Sequence, residues 1–246
     1  MESELENLIG EARADGLSSA DAVVAALREA ILRGVFADGQ PLRQDEIATR
    51  FGISKIPVRE ALRRLEAEGL VVFYPNRGAV VATLSLDEAE ELCEIRIALE
   101  TTALRRAIPR MTADDLRRAG DVLEEARSEP DPQRWSTLNW EFHSALYAPA
   151  GRPQLLTLIQ QMNRRVDRYM RATLTSAGHH AQSLREHKLL LQAVRRGDVA
   201  EAEALLTAHI TAGAKKLIDY LRKGNYSGHP FFQRETRYSF PLRGKE

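Results

Sequence analysis

Apolar residues recur at spacings of three and four through Val23, Val24, Leu27, Ile31 and Leu32, the stripe of an amphipathic helix that begins at Ser18 or Ser19. Gly34 offers its stop, and Asp38-Gly39-Gln40-Pro41 reads as a turn. A short second helix from about Arg43 to Phe51 turns Leu42, Ile47, Ala48 and Phe51 inward, and Gly52 breaks it. Ser54 then offers a side-chain oxygen to cap a third helix, with Pro57 in the first turn, where a missing N–H is tolerated. That helix runs to Glu68 on a stripe of Val58, Ala61, Leu62 and Leu65, and Gly69 ends it. Residues 1–17 have weak periodicity and several acids, which predicts a tail or a frayed helix.

After Gly69 the period changes to two. Leu70-Val71-Val72-Phe73-Tyr74 and Ala79-Val80-Val81-Ala82 are β-rich runs joined by Pro75-Asn76-Arg77-Gly78, the pattern of a hairpin. Ser85-Leu86-Asp87-Glu88 is a capping box that opens a new helix, which puts a domain boundary near Leu84. From there the pattern is helical throughout, over about 86–107, 112–128, 133–148, 153–175, 179–196 and 198–223. The predicted fold is therefore mostly α. A tail at 1–17 precedes a winged helix-turn-helix at 18–84, then an all-α antiparallel bundle at 85–224 and a tail at 225–246.

Composition narrows the class. Of 246 residues 43% are hydrophobic and 28% charged, enough apolar side chain to exclude a largely disordered chain. Aromatic content of 6% beside abundant Ala, Leu, Arg and Glu suits a helical protein. The single Cys93 excludes a disulfide framework and a Cys-based zinc finger. No apolar run is long enough to span a bilayer, and the acidic start lacks the order of a signal peptide, so the cytoplasm is the expected compartment. With 35 basic against 35 acidic residues the net charge is zero, so any nucleic-acid binding has to come from a local patch.

The third helix carries such a patch. Lys55, Arg59 and Arg63 stand four apart and share one face, opposite the apolar stripe, and suit guanine edges in a major groove. Arg64 and Arg43 lie at its margin and suit phosphates, while Arg77 at the hairpin tip suits a minor groove or the adjacent backbone. Taken alone, the basic face reads better as a solvated surface paired with Glu60 or Glu66. The order of elements is more specific. Pro41 to Ala48 (PLRQDEIA), Phe51 to Leu62 (FGISKIPVREAL), Leu65 to Val71 (LEAEGLV) and Pro75 to Ala79 (PNRGA) together resemble the DNA-binding domain of GntR-family transcriptional regulators, over residues 20–84. The resemblance implies DNA contacts at Arg43, Ser54, Lys55, Pro57, Arg59, Arg77 and Gly78. Lys55-Ile56 departs from the usual Arg-Thr pair, and lysine keeps the charge but lacks the bidentate fork.

Six histidines occur, at positions 143, 179, 180, 187, 209 and 229. Asn139 precedes His143 by one helical turn, and His187 and His209 fall on two later helices, so three imidazoles could converge in a bundle. Spacing alone favours ordinary core or surface histidines. Residues 87–223, however, resemble the helical FCD effector domain of the FadR subgroup, through Glu94 to Glu100 (EIRIALE), Asn139 to His143 (NWEFH), Glu186-His187 and His209. The resemblance implies a divalent metal held by Asn139, His143, His187 and His209, with zinc foremost and nickel, iron or manganese compatible. An amide at Asn139 is a weaker ligand than the commoner aspartate. Arg96 is the candidate carboxylate clamp, set against a plain ion pair with Glu100. His179 and His180 read as solvated, and Cys93 as a packing residue.

These readings converge on a bacterial, cytoplasmic, homodimeric regulator that binds an inverted-repeat operator as a repressor. A small organic acid in the helical domain is its expected effector. The alternatives are a metal-sensing regulator, or a metal-dependent enzyme using the three histidines, with neither Glu141 nor Glu186 aimable as a base from sequence.

Overall fold

The computed structural model describes residues 2–14, 17–174 and 179–222. The chain runs α1 (Glu2–Ala14), α2 (Ser19–Leu32), α3 (Gln44–Arg50), α4 (Lys55–Ala67), β1 (Val71–Tyr74) and β2 (Gly78–Val81). It continues through α5 (Leu86–Ala107), α6 (Ala113–Ser128), α7 (Pro132–Tyr147), α8 (Pro153–Leu174), α9 (His179–Arg195) and α10 (Val199–Arg222). This is the mostly α fold that the pattern predicts, a winged helix-turn-helix followed by a helical bundle. Residues 225–246, read as a tail, lie outside the described residues.

The N-terminal stretch is the main correction. Helix α1 buries Leu5, Leu8, Ile9 and Ala12 against α2. The reason lies in α2, whose Ala22, Val23, Val24, Ala26, Leu27, Ala30 and Ile31 are all buried. Such a helix is apolar over more than one face and needs cover from both sides. One side is α4, and α1 supplies the other.

Caps and turns position the reading unit. Ser18 caps α2 by accepting the N–H of Asp21 at 3.2 Å. Ser54 stands at the corresponding place on α4 but makes no side-chain cap bond. Pro57 occupies the third helical position, whose N–H a capping serine normally takes. The wing pairs Val71 with Val81 through Tyr74 with Gly78, and its tip takes left-handed backbone at Asn76 (φ 63°) and Gly78 (φ 73°). A bond from the Leu42 N–H to the Ala79 carbonyl at 2.8 Å ties the hairpin to the start of α3.

The capping box at Ser85 and Glu88 starts α5, the central bundle helix, which packs on α10 and α8. A core of Leu104, Phe142, Leu146, Ile159, Leu190 and Leu206 fills the space between the helices. Helix α8 also reaches the reading unit. Arg164 lies 3.4 Å from Glu68, Arg171 lies 3.3 Å from Glu29, and the Tyr169 hydroxyl donates to Asp38 at 3.2 Å. Among the described residues no helix is long and apolar enough to cross a membrane.

Candidate functional site

Two places gather the predicted residues. On the reading unit, Val58, Ala61, Leu62 and Leu65 anchor α4 in the core, so Ser54, Lys55, Ile56, Arg59 and Arg63 face outward. Lys55 Nζ meets Asp45 at 2.5 Å and Arg43 meets Glu46 at 3.0 Å, with all four side chains more than 60% exposed. Ion pairs this exposed contribute only about 0–1 kcal/mol and exchange readily for phosphates. Arg59 is exposed and makes no ion pair among the described residues. Arg63 is committed elsewhere: it bonds Glu66 at 2.8 Å, and its guanidinium lies 4.1 Å above the Phe73 ring of the wing. Arg64 turns away from the outer face and pairs with Asp21 at 2.6 Å. The surface-pairing reading thus holds for Arg63 and its Glu66, while Arg59 stays available. Pro57 is half-buried, and Arg77 and Gly78 form the exposed tip of the wing.

The second place lies inside the bundle. His143 on α7, His187 on α9 and His209 on α10 bring one ring nitrogen each within 4.8 Å of the others. His143 Nδ1 lies 3.1 Å from the Tyr147 hydroxyl, and that hydroxyl donates to Glu100 at 2.7 Å. With its proton given to Glu100, Tyr147 can only accept, so Nδ1 of His143 carries the hydrogen and Nε2 the lone pair. That Nε2 is buried and has no hydrogen-bond partner. On the other side His209 Nδ1 sits 2.7 Å from Glu186, and its Nε2 lies 3.3 Å from Nε2 of His187. Two imidazole lone pairs at that distance need a proton or a cation between them.

Electrostatics keep His143 and His187 neutral. Burial, with the nearby His209 and Arg96 charges, holds His143 well below the ordinary imidazole range. Burial, then His209 and His143, does the same for His187. Burial and the Glu100 carboxylate raise Tyr147 well above the usual phenol value, so it remains a hydroxyl. Neutral His143 and His187, with the outer nitrogens of His143 and His209 tied to the Tyr147–Glu100 relay and to Glu186, make the arrangement that suits metal ligation. The donor set fits a divalent ion.

Arg96 bonds Glu100 through Nε at 2.7 Å, so the ion pair set against the clamp is present. The partly buried Arg96 side chain also lines a narrow cleft with Cys93, Val166, Met170, Ile210 and Gly213. Asn139 is half-buried one turn before His143, and its side chain makes no hydrogen bond among the described residues. Burial pushes the Cys93 thiol up, in keeping with a packing role. Glu141 is half-exposed and pairs with Arg134 at 3.5 Å, away from a catalytic role. His180 corrects the solvated reading: it is half-buried, 3.0 Å from the Ala126 carbonyl and edge-on to Trp135. The side chain of His179, and His229 altogether, lie outside the described residues. Sequence reasoning missed Tyr147, for which the only signal is its position one turn after His143.

Comparison with known proteins identifies both domains. Residues 19–81 match the bacterial regulatory proteins of the gntR family, and residues 91–212 match the FCD domain. An HTH-type transcriptional regulator from the TAR-I ttuE-ttuC' intergenic region of Agrobacterium vitis is 35% identical over 57% of this chain and 88% of its own. The HTH-type transcriptional repressor RspR of Escherichia coli is 27% identical over 75% of this chain and 82% of its own. A GntR-family regulator of known structure from Pseudomonas syringae pv. tomato is 36% identical with a TM-score of 0.54, covering 83% of this chain and 86% of the other. The chain belongs to the GntR family, with an FCD domain behind its winged helix-turn-helix. It is a DNA-binding transcriptional regulator and not an enzyme.

Proposed function

We propose that this regulator binds an inverted-repeat operator as a homodimer and represses transcription until a small organic acid enters its helical domain. The observation that carries the effector half is the bare, buried Nε2 of His143 beside the facing Nε2 atoms of His187 and His209. These three nitrogens, with Asn139, would hold a divalent ion, zinc foremost and nickel, iron or manganese compatible. When bound, the ion supplies a positive centre for a carboxylate oxygen. Arg96, whose Nε is taken by Glu100, keeps its terminal nitrogens for the same carboxylate.

On the DNA side, Lys55 and Arg59 read base edges. Arg43, Ser54 and the backbone at Pro57 hold phosphates, Arg63 braces the helix against the wing, and Arg77 and Gly78 bring the wing tip to the duplex. A two-fold dimer presents two such readers to two half-sites. Repression is favoured by the repressor role of the RspR relative.

The test uses the full chain, a duplex enriched from a randomised library, and a panel of small mono-, di- and tricarboxylates. Wild type should retain about one divalent ion per chain and release the duplex in the presence of at least one acid. His187→Ala should lose the ion and the release while still binding the duplex. Arg59→Ala should keep the ion and lose about 1–3 kcal/mol of specific binding. Wild type supplied with zinc, nickel or manganese that retains none would reduce the cluster to core histidines.

A further inference from the structure

Ile56 occupies the second position of α4 and is 78% exposed, far beyond Leu189 at 51%, Tyr74 at 49% or Leu158 at 47%. Nothing in the fold calls for isoleucine there. A β-branched side chain is a poorer helix former than Ala, Lys or Gln, and at this exposure it gains no burial in return. The core of the unit is complete without it, since Val58, Ala61, Leu62 and Leu65 fill the inner face.

Its neighbours say what it faces. Ile56 precedes Arg59 by three residues and Arg63 by seven, so all three lie on one outward stripe. Lys55 beside it and Arg43 at the start of α3 are exposed cations with exposed acidic partners, and Glu60 stands one turn on. An apolar side chain on a stripe that carries Arg59 and Arg63 suits a surface that is anionic at its edges and carries an apolar group at its centre. In duplex DNA that group is the C5 methyl of thymine, the one apolar feature of the major groove, flanked by phosphates.

We infer that Ile56 is a specificity-determining residue that packs on a thymine methyl in each operator half-site, beside the base contacted by Lys55 or Arg59. The inference rests on α4 being the DNA-reading helix, as proposed above. Cytosine has hydrogen where thymine has methyl, so Ile56 would favour T·A over C·G at one position without any hydrogen bond.

The experiment enriches duplexes from a randomised library with full-length wild type and with Ile56→Ala, which keeps a good helix former at an exposed position. In the enriched wild-type site each thymine is then replaced singly by deoxyuridine, which removes only the methyl. One thymine per half-site should weaken wild-type binding about fourfold, the worth of one buried methyl-sized group. The same replacement should leave Ile56→Ala unchanged, and the variant's own enriched site should accept other bases at that position. A wild-type site in which no deoxyuridine replacement matters, or one that weakens both proteins equally, overturns the role of Ile56 alone. Failure of wild type to enrich any site would instead overturn the reading of α4, and this inference with it.

Discussion

The reading face and the histidine cluster handle polar groups in opposite ways. On the reading face the cations are exposed and hold loose partners, Lys55 of α4 with Asp45 and Arg43 before α3 with Glu46, each pair easily traded for a phosphate. In the bundle His143 and His187 are buried and neutral, and His143 and His209 are held from behind by Tyr147–Glu100 and by Glu186. A surface can wait for its partner in water, whereas a buried lone pair without one costs about 1–3 kcal/mol. The exposed face therefore suits a ligand that comes and goes, and the cluster suits one that stays. Stability measurements on DNA-free protein should separate the two, because a resident ion stays with the purified chain whereas an operator has to be added.

The largest effect should come from metal. With ion in roughly thousandfold excess over its dissociation constant, a site present only in the folded chain gains about 4 kcal/mol. Chelation should lower the denaturant midpoint of wild type accordingly and leave His187→Ala unmoved. Equal midpoints for wild type with and without chelator would remove the contrast between cluster and face.

A smaller effect is expected where the two regions meet. Burial pushes the Glu68 carboxyl up, but hydrogen bonds and charge from Arg28, with Arg164 and Arg64 behind, outweigh it and hold the group below its usual value. Arg28 grips it with two bonds, at 2.7 and 2.5 Å. A carboxyl depressed in the folded state stabilises above its unfolded pKa, about 4.3, and loses that contribution as pH falls through the folded value. Glu68→Gln should therefore cost roughly 1.5–3 kcal/mol near neutral pH. The gap between wild type and variant should close as pH drops below about 4. A gap independent of pH would show that the ion pair contributes nothing and only the packing of α8 matters.

How much of this was legible in the sequence follows from the range of each interaction. The bundle helices were readable because their ends are marked locally, by the Ser85 and Thr112 capping boxes and by Pro132 and Gly151. The convergence of His143, His187 and His209 was readable only through family resemblance, since three separate helices supply them. The relay behind His143 was not readable, because Tyr147 and Glu100 are 47 residues apart and meet only after α5 and α7 pack. Helix α1 reads in sequence only as a tail or a frayed helix for a related reason: its four buried residues acquire meaning only from the second apolar face of α2.

The smallest effect discriminates between two serines that look alike in sequence. Ser18 and Ser54 each precede a helix, yet only Ser18 bonds the first turn, through the Asp21 N–H. At α4 that donor would sit at Pro57, which has none, so the Ser54 hydroxyl stays exposed and uncommitted. Ser18→Ala should cost about 1 kcal/mol of stability, the usual worth of a cap. Ser54→Ala should stay within about 0.5 kcal/mol, as for an ordinary surface substitution. On the enriched duplex the order should reverse: Ser54→Ala should weaken binding by roughly 0.5–1.5 kcal/mol through a lost phosphate bond, and Ser18→Ala should bind as wild type. Denaturation and anisotropy titrations on the same preparations measure both. If Ser54→Ala destabilises as much as Ser18→Ala, the hydroxyl is capping the Ile56 N–H, and its assignment to DNA fails.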